Sequence, residues 1–188
     1  GGIVNAVTKS GGNEFHGILR VKYVDTDWAE DDDYPTTEAN YDYYEPTVTL
    51  EGPIIRDKLW FMVSYNYLNR EGTGKTIGFY GADYTNPDDL VEINTDREFH
   101  LPYAKLTFQP TQEHKFVVNY SGEDATLNNT TGDPQTDTPE VWNTQEQGGP
   151  FYSLEWNWLT TPNLYFITRI GSTLGILDNV PSTKTGTN

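Results

Sequence analysis

Six stretches of this chain alternate apolar and polar side chains one for one, and a period of two confines them to β-strands. Leu59, Phe61, Val63, Tyr65 and Tyr67 alternate with Trp60, Met62, Ser64 and Asn66. Ala104, Leu106 and Phe108 alternate with Lys105, Thr107 and Gln109, and Phe116, Val118 and Tyr120 with Val117, Asn119 and Ser121. Tyr152, Leu154, Trp156 and Trp158 alternate with Ser153, Glu155 and Asn157. Phe166, Ile170, Leu174 and Ile176 share a face opposite Arg169, Gly171 and Thr173, and Leu19, Val21 and Tyr23 alternate with Arg20 and Lys22. Seven long strands are predicted, over about 14–25, 41–53, 58–70, 98–109, 114–126, 150–160 and 163–177, after a shorter extended segment from Ile3 to Lys9. The usual strand in a soluble sheet has about 5–6 residues, whereas a tilted membrane strand needs about 9–11. With 25 Thr and 13 Tyr against 6 Ala, the chain suits pleated sheet and makes poor helix.

Two kinds of connection join these strands. Tight turns are expected at 53–58, 109–114 and 159–163, and long polar connections at about 26–40, 71–97 and 127–149. Brief turns on one side and long loops on the other are the rhythm of an outer-membrane barrel. Charge follows it. Segments 25–45, 83–98 and 123–146 hold 21 acidic residues and one Arg, so the remainder of a chain of net charge −16 is positive. A soluble sandwich has loops at both ends and offers no reason for this polarity.

Composition removes several classes. Leu, Ile, Val and Phe make up about 22% of the chain, close to the range of disordered sequences, but 14% aromatic residues and strict alternation oppose disorder. No apolar run approaches the roughly 18 residues of a membrane helix. Without Cys there is neither a disulfide framework nor a thiolate metal site. The acidic balance disfavours nucleic acid as a partner.

Local chemistry is sparse. Gly72-Thr73-Gly74-Lys75-Thr76 ends like a phosphate loop, but Asn69 stands where its first Gly belongs and no helix start follows. His16, His100 and His114 lack ligand spacing, and no nucleophile motif occurs, so no enzyme and no cofactor are expected. Asp31, Asp32 and Asp33 form a weak Ca²⁺ candidate, without the alternate-position order of an EF-hand. Tyr41, Tyr43, Tyr44, Tyr65, Tyr67, Trp156 and Trp158 lie where strands leave the apolar band, as interfacial girdle residues do. Trp28, Tyr34 and Trp142, in or beside the acidic loops, are candidate ligand contacts.

Two motifs carry a family resemblance. Gly1 to Gly17, reading GGIVNAVTKSGGNEFHG, resembles the junction between the last plug strand and the first barrel strand of TonB-dependent outer-membrane receptors, most closely the Oar-like group with its carboxypeptidase-regulatory-like domain. Glu51 to Tyr65, reading EGPIIRDKLWFMVSY, resembles the same family's hairpin between barrel strands two and three, with Glu51 in place of a Gly. Glycine pairs suit a chain that passes close to other backbone, and Pro53 removes a donor where a strand ends.

The resemblance implies an all-β chain. It would be an antiparallel meander of about seven long strands, part of a large transmembrane β-barrel together with the last strand of a plug domain. Residues 1–12 would end the plug and 13–188 would begin the barrel wall. Seven strands cannot close an antiparallel barrel of even strand number, so further strands are expected outside this sequence, and the resemblance implies that most of the plug and a TonB box lie outside it too. The implied protein sits in the outer membrane of a Gram-negative-type bacterium, in contact with lipid. It binds an unidentified extracellular ligand and admits it past the plug through the TonB system. Arg20, Lys22, Asn66, Lys105, Asn119, Glu155 and Arg169 would face the lumen. The alternative is a soluble, acidic, aromatic-rich β-sandwich that binds carbohydrate.

Overall fold

A computed structural model describes residues 11–25, 38–77, 86–129 and 142–181. They form one antiparallel sheet of nine strands: β1 (His16–Asp25), β2 (Glu38–Ile55), β3 (Leu59–Ile77), β4 (Leu90–Asn94), β5 (Arg97–Phe108), β6 (His114–Leu127), β7 (Asn143–Thr161), β8 (Leu164–Thr173) and β9 (Ile176–Pro181). The order is β1-β2-β3-β5-β6-β7-β8, with β4 on β3 and β9 on β7. β1 and β8 lack a second neighbour among the described residues, so the sheet is open. The predicted extended segment Ile3 to Lys9 lies outside the described residues.

Nine strands are seven with two interruptions. β4 and β5 pair with β3 in one continuous register, broken only at Thr95-Asp96. There the Thr95 amide still reaches the Gly72 carbonyl (2.9 Å), and Asp96 Oδ1 accepts from the Gly72 amide (3.4 Å). β8 and β9 likewise continue one register along β7, broken at Leu174-Gly175, where the Leu174 amide donates to the Pro150 carbonyl (3.0 Å). The seven predicted strands are therefore present. The long connections are shorter than predicted, because 71–77, 90–94 and 143–149 are strand and not loop. The Gly72–Thr76 segment, which ends like a phosphate loop, is ladder-paired strand in β3.

The three short turns form as expected. In the β2–β3 turn Lys58 donates to the Ile55 carbonyl (3.1 Å), and Asp57 takes φ 64°, a conformation that Asp tolerates better than bulky residues. In the β5–β6 turn the Thr111 hydroxyl accepts from the His114 amide (3.3 Å). A hydrogen bond from that hydroxyl also holds the exposed Glu113 carboxyl below its ordinary range.

The sheet is inside-out by the standards of a soluble domain. Cross-strand rows such as Phe61–Leu106–Val118–Leu154–Ile170 and Leu50–Val63–Ala104–Tyr120–Tyr152 define one face, and its aliphatic members are largely exposed. Ile170 is 67% exposed and Leu19 75%. The opposite face buries polar groups instead: Glu51, Lys105, Thr107 and Asn157. A soluble sandwich would cover the apolar face with a second sheet, and the described residues form only one. No helix among them is long and apolar enough to cross a membrane.

The aromatic girdle needs one correction. Tyr44, Tyr65, Tyr67, Trp156 and Trp158 lie on the apolar face, but Tyr41 and Tyr43 fall on the polar face by alternation. There Lys22 sits over the Tyr43 ring (4.5 Å) and Arg70 over the Tyr41 ring (4.2 Å), favourable cation–ring contacts. Three tyrosines crowd one short stretch, and parity sends two of them to the polar face. At the short-turn end of the apolar face, Phe108, Phe116, Trp156, Trp158 and Phe166 form a run of ring contacts with centroids 5.6–6.4 Å apart.

Candidate functional site

Strand pairing places Arg20, Lys22, Asn66, Lys105, Asn119, Glu155 and Arg169 on one face. Arg20 pairs with Thr47, Thr47 with Asn66, Lys105 with Asn119, Asn119 with Ser153, and Glu155 with Arg169. Because the side-chain period is two, a single register fixes every residue of a strand to its side. This polar face carries the connected hydrogen bonding.

Its networks run across strands. Asn66 donates to Glu45 Oε1 (2.9 Å) and Thr47 Oγ1 (2.7 Å), and the Tyr43 hydroxyl donates to Glu45 Oε2 (2.5 Å). Further along, Tyr103 donates to Asn119 Oδ1 and Asn119 Nδ2 to Ser153 Oγ, both at 3.1 Å. Near the short turns Arg169 Nε donates to Glu155 Oε2 (2.5 Å), Asn157 Nδ2 to Glu155 Oε1 (2.7 Å), and Tyr165 to Asn157 Oδ1. Lys105 is buried at 8% exposure, while Arg20, Lys22 and Arg169 are exposed. Such a surface can orient a polar protein segment or line an aqueous passage. Replacing Asn119 by Ala should strand Tyr103 and Ser153 and cost about 1–3 kcal/mol, read as a lower urea midpoint of unfolding.

A second feature went unseen in the sequence. Asp25, Asp42, Glu71, Asp96 and Glu98 converge on a cleft of about 660 Å³. They belong to the same side as the apolar rows, just past the ends of those rows. Asp25 pairs directly with Asp42, and Asp42 with Glu71, although like charges placed opposite are destabilising. The acidic balance of these segments was legible. That four strands bring the carboxylates together depends on register.

Of the predicted ligand contacts, Trp142 is buried (6% exposed) immediately before β7. Trp28, Tyr34 and the Ca²⁺ candidate Asp31, Asp32 and Asp33 lie outside the described residues. Among the described residues no group of three or more His, Asp or Glu is arranged to hold a metal ion.

Comparison with known proteins gives one informative likeness. The chain is 34% identical over 146 residues to the TonB-dependent transporter Oar of Myxococcus xanthus, an alignment covering 63% of this chain and 14% of that protein. The likeness supports a TonB-dependent transport family. The chain thus spans a small part of the relative it matches. No family model matches the chain, and no solved structure matches it.

Proposed function

We propose that this chain forms part of the wall of a TonB-dependent outer-membrane receptor of the Oar-like kind. Residues 1–12 close the plug domain and 13–188 begin the barrel. The whole protein binds a ligand at its extracellular loops, with Trp28, Tyr34 and Trp142 as candidate contributors, and admits it when the TonB system rearranges the plug. The work is binding and gated passage, with no catalytic step and no cofactor. One observation carries the reading: the apolar rows stand exposed, while the buried polar groups Glu51, Lys105, Thr107 and Asn157 lie on the opposite face. Along β7 the apolar stripe from Pro150 to Trp158 covers nine residues, roughly 30 Å of strand, enough for an apolar band about 25 Å tall crossed at a tilt. The seven polar-face residues then line the lumen, against the plug or water.

Fractionation of cells expressing the full-length gene product tests this. The protein is expected in the outer-membrane pellet after a carbonate wash and to require detergent for release. Recovery in the soluble fraction without detergent would overturn the reading in favour of a soluble sheet.

A further inference from the structure

The two segments that carry the family resemblance lie some forty residues apart, yet they meet in space. Asn13 binds the β2–β3 turn at three points. Its Oδ1 accepts from the Asp57 amide (2.9 Å) and from the Trp60 indole N–H (2.8 Å), and its Nδ2 donates to Asp57 Oδ1 (2.5 Å). Two residues on, the Phe15 ring lies on Gly52, where an added Cβ would come within 2.3 Å of a ring carbon. The same ring meets Phe61 with centroids 6.3 Å apart. Gly11 lies against the backbone of β2 and β3, and a Cβ there would stand 2.3 Å from the Phe61 carbonyl oxygen. Gly52 and Phe61 belong to the apolar face and Trp60 to the polar face. Residues 11–15 therefore carry the chain around the end of the sheet from one face to the other.

β1 is an edge strand, paired only with β2 among the described residues. Its first rung is His16 with Glu51. Tension applied from the N-terminal side to an unsecured edge strand would open the ladder rung by rung from that point. Asn13 instead ties the chain, before β1 begins, to the closed end of the β2–β3 hairpin, which is held by a long ladder of its own.

We propose that residues 11–15 and the β2–β3 turn form a clasp, with Asn13 as its positioning residue, that fixes where the N-terminal segment leaves the wall and takes up tension so that β1 stays paired. This rests on the wall reading above, in which a plug precedes the wall and is moved from the inner side.

The test uses full-length protein in lipid and exchanges the two bonding groups. Asn13→Asp sets one carboxylate against another. Asn13→Asp with Asp57→Asn keeps the acceptor for the residue-57 amide and Trp60 and restores a carboxylate–amide bond with the partners exchanged. Amide hydrogen exchange of His16–Asp25 should rise at least about tenfold in the single variant, fall back in the double, and stay unchanged in β5 to β8. When the N-terminus is pulled in a single-molecule experiment, the single variant should release β1 at a lower force than wild type, before the wall yields. Wild-type behaviour in the single variant, or no recovery in the double, overturns the clasp while leaving the wall intact. Rapid exchange throughout the wild-type sheet would instead sink the wall reading, and the clasp with it.

Discussion

Arginine in place of Ile170 is expected to abolish assembly of the wall, whereas arginine in place of Ile167 is expected to leave it folded. The two isoleucines lie three residues apart on β8 and are both exposed, at 67% and 47%. Composition and exposure treat them alike, but parity does not. Ile170 continues the apolar row through Leu106, Val118 and Leu154, while Ile167 pairs with Asn157 on the polar face. On the proposed reading the first side chain meets lipid near the middle of the band, where Arg costs about 2–4 kcal/mol, and the second meets the lumen, where such changes are tolerated. Heat-modifiable migration of the full-length protein on gels reads the outcome. Equal behaviour of the two variants would refute the assignment of lipid and lumen faces.

Alanine at Gly148 or Gly149 is expected to disconnect the part of β7 beyond the apolar band. These consecutive glycines have φ of 138° and 132°, backbone that an L side chain adopts only at a cost of about 1–3 kcal/mol each. A Cβ at Gly148 would stand 2.0 Å from the Glu123 carbonyl oxygen, and one at Gly149 1.8 Å from that of Leu174. The strain falls where β6, β7 and the β8–β9 break meet. The pairing of 143–148 with β9 should therefore open while the pairing of 151–161 with β8 persists. On the proposed reading, protease added to intact cells should cut near 143–150 in either variant and spare the strands that the membrane would protect. Gly175→Ala is the control, since nothing lies within 4 Å of its added Cβ and no cleavage should follow. Loss of the whole protein, or resistance equal to wild type, would show that the two halves of β7 are not independent.

Much of the sheet could be read from single segments. The alternation through Leu59–Tyr67 or Tyr152–Trp158 assigned strand and face together, because one side of each strand is apolar and the other polar. The short turns announced themselves through Pro53, Pro110 and Pro162 with their polar neighbours. The seven polar-face residues were found in the same way, and register brings all of them to one side. Tyr41 and Tyr43 were misassigned because three tyrosines in four positions give no alternation to follow. Among the described residues, the glycines of positive φ lie outside the two motifs. Gly11 serves close approach, whereas the positive-φ pair is Gly148-Gly149.

The strand ends beyond the apolar band were not legible. Residues 71–77, 90–94 and 143–149 are strand, yet the first and last carry almost no apolar side chain and the second is only five residues long. Hydrophobic periodicity fades there, and only the backbone ladder continues. The sequence by itself determined that the chain is a meander of long, one-sided strands with brief turns at one end. It also placed nearly every side chain on its face. Only the tertiary structure decided which residues of different strands meet: the carboxylates of the acidic cleft, the Glu155–Arg169–Asn157 network, and Asn13 on the turn at Asp57. Facing follows from a period of two within one strand, but partnership follows from register between strands, and that is settled only when the whole ladder forms.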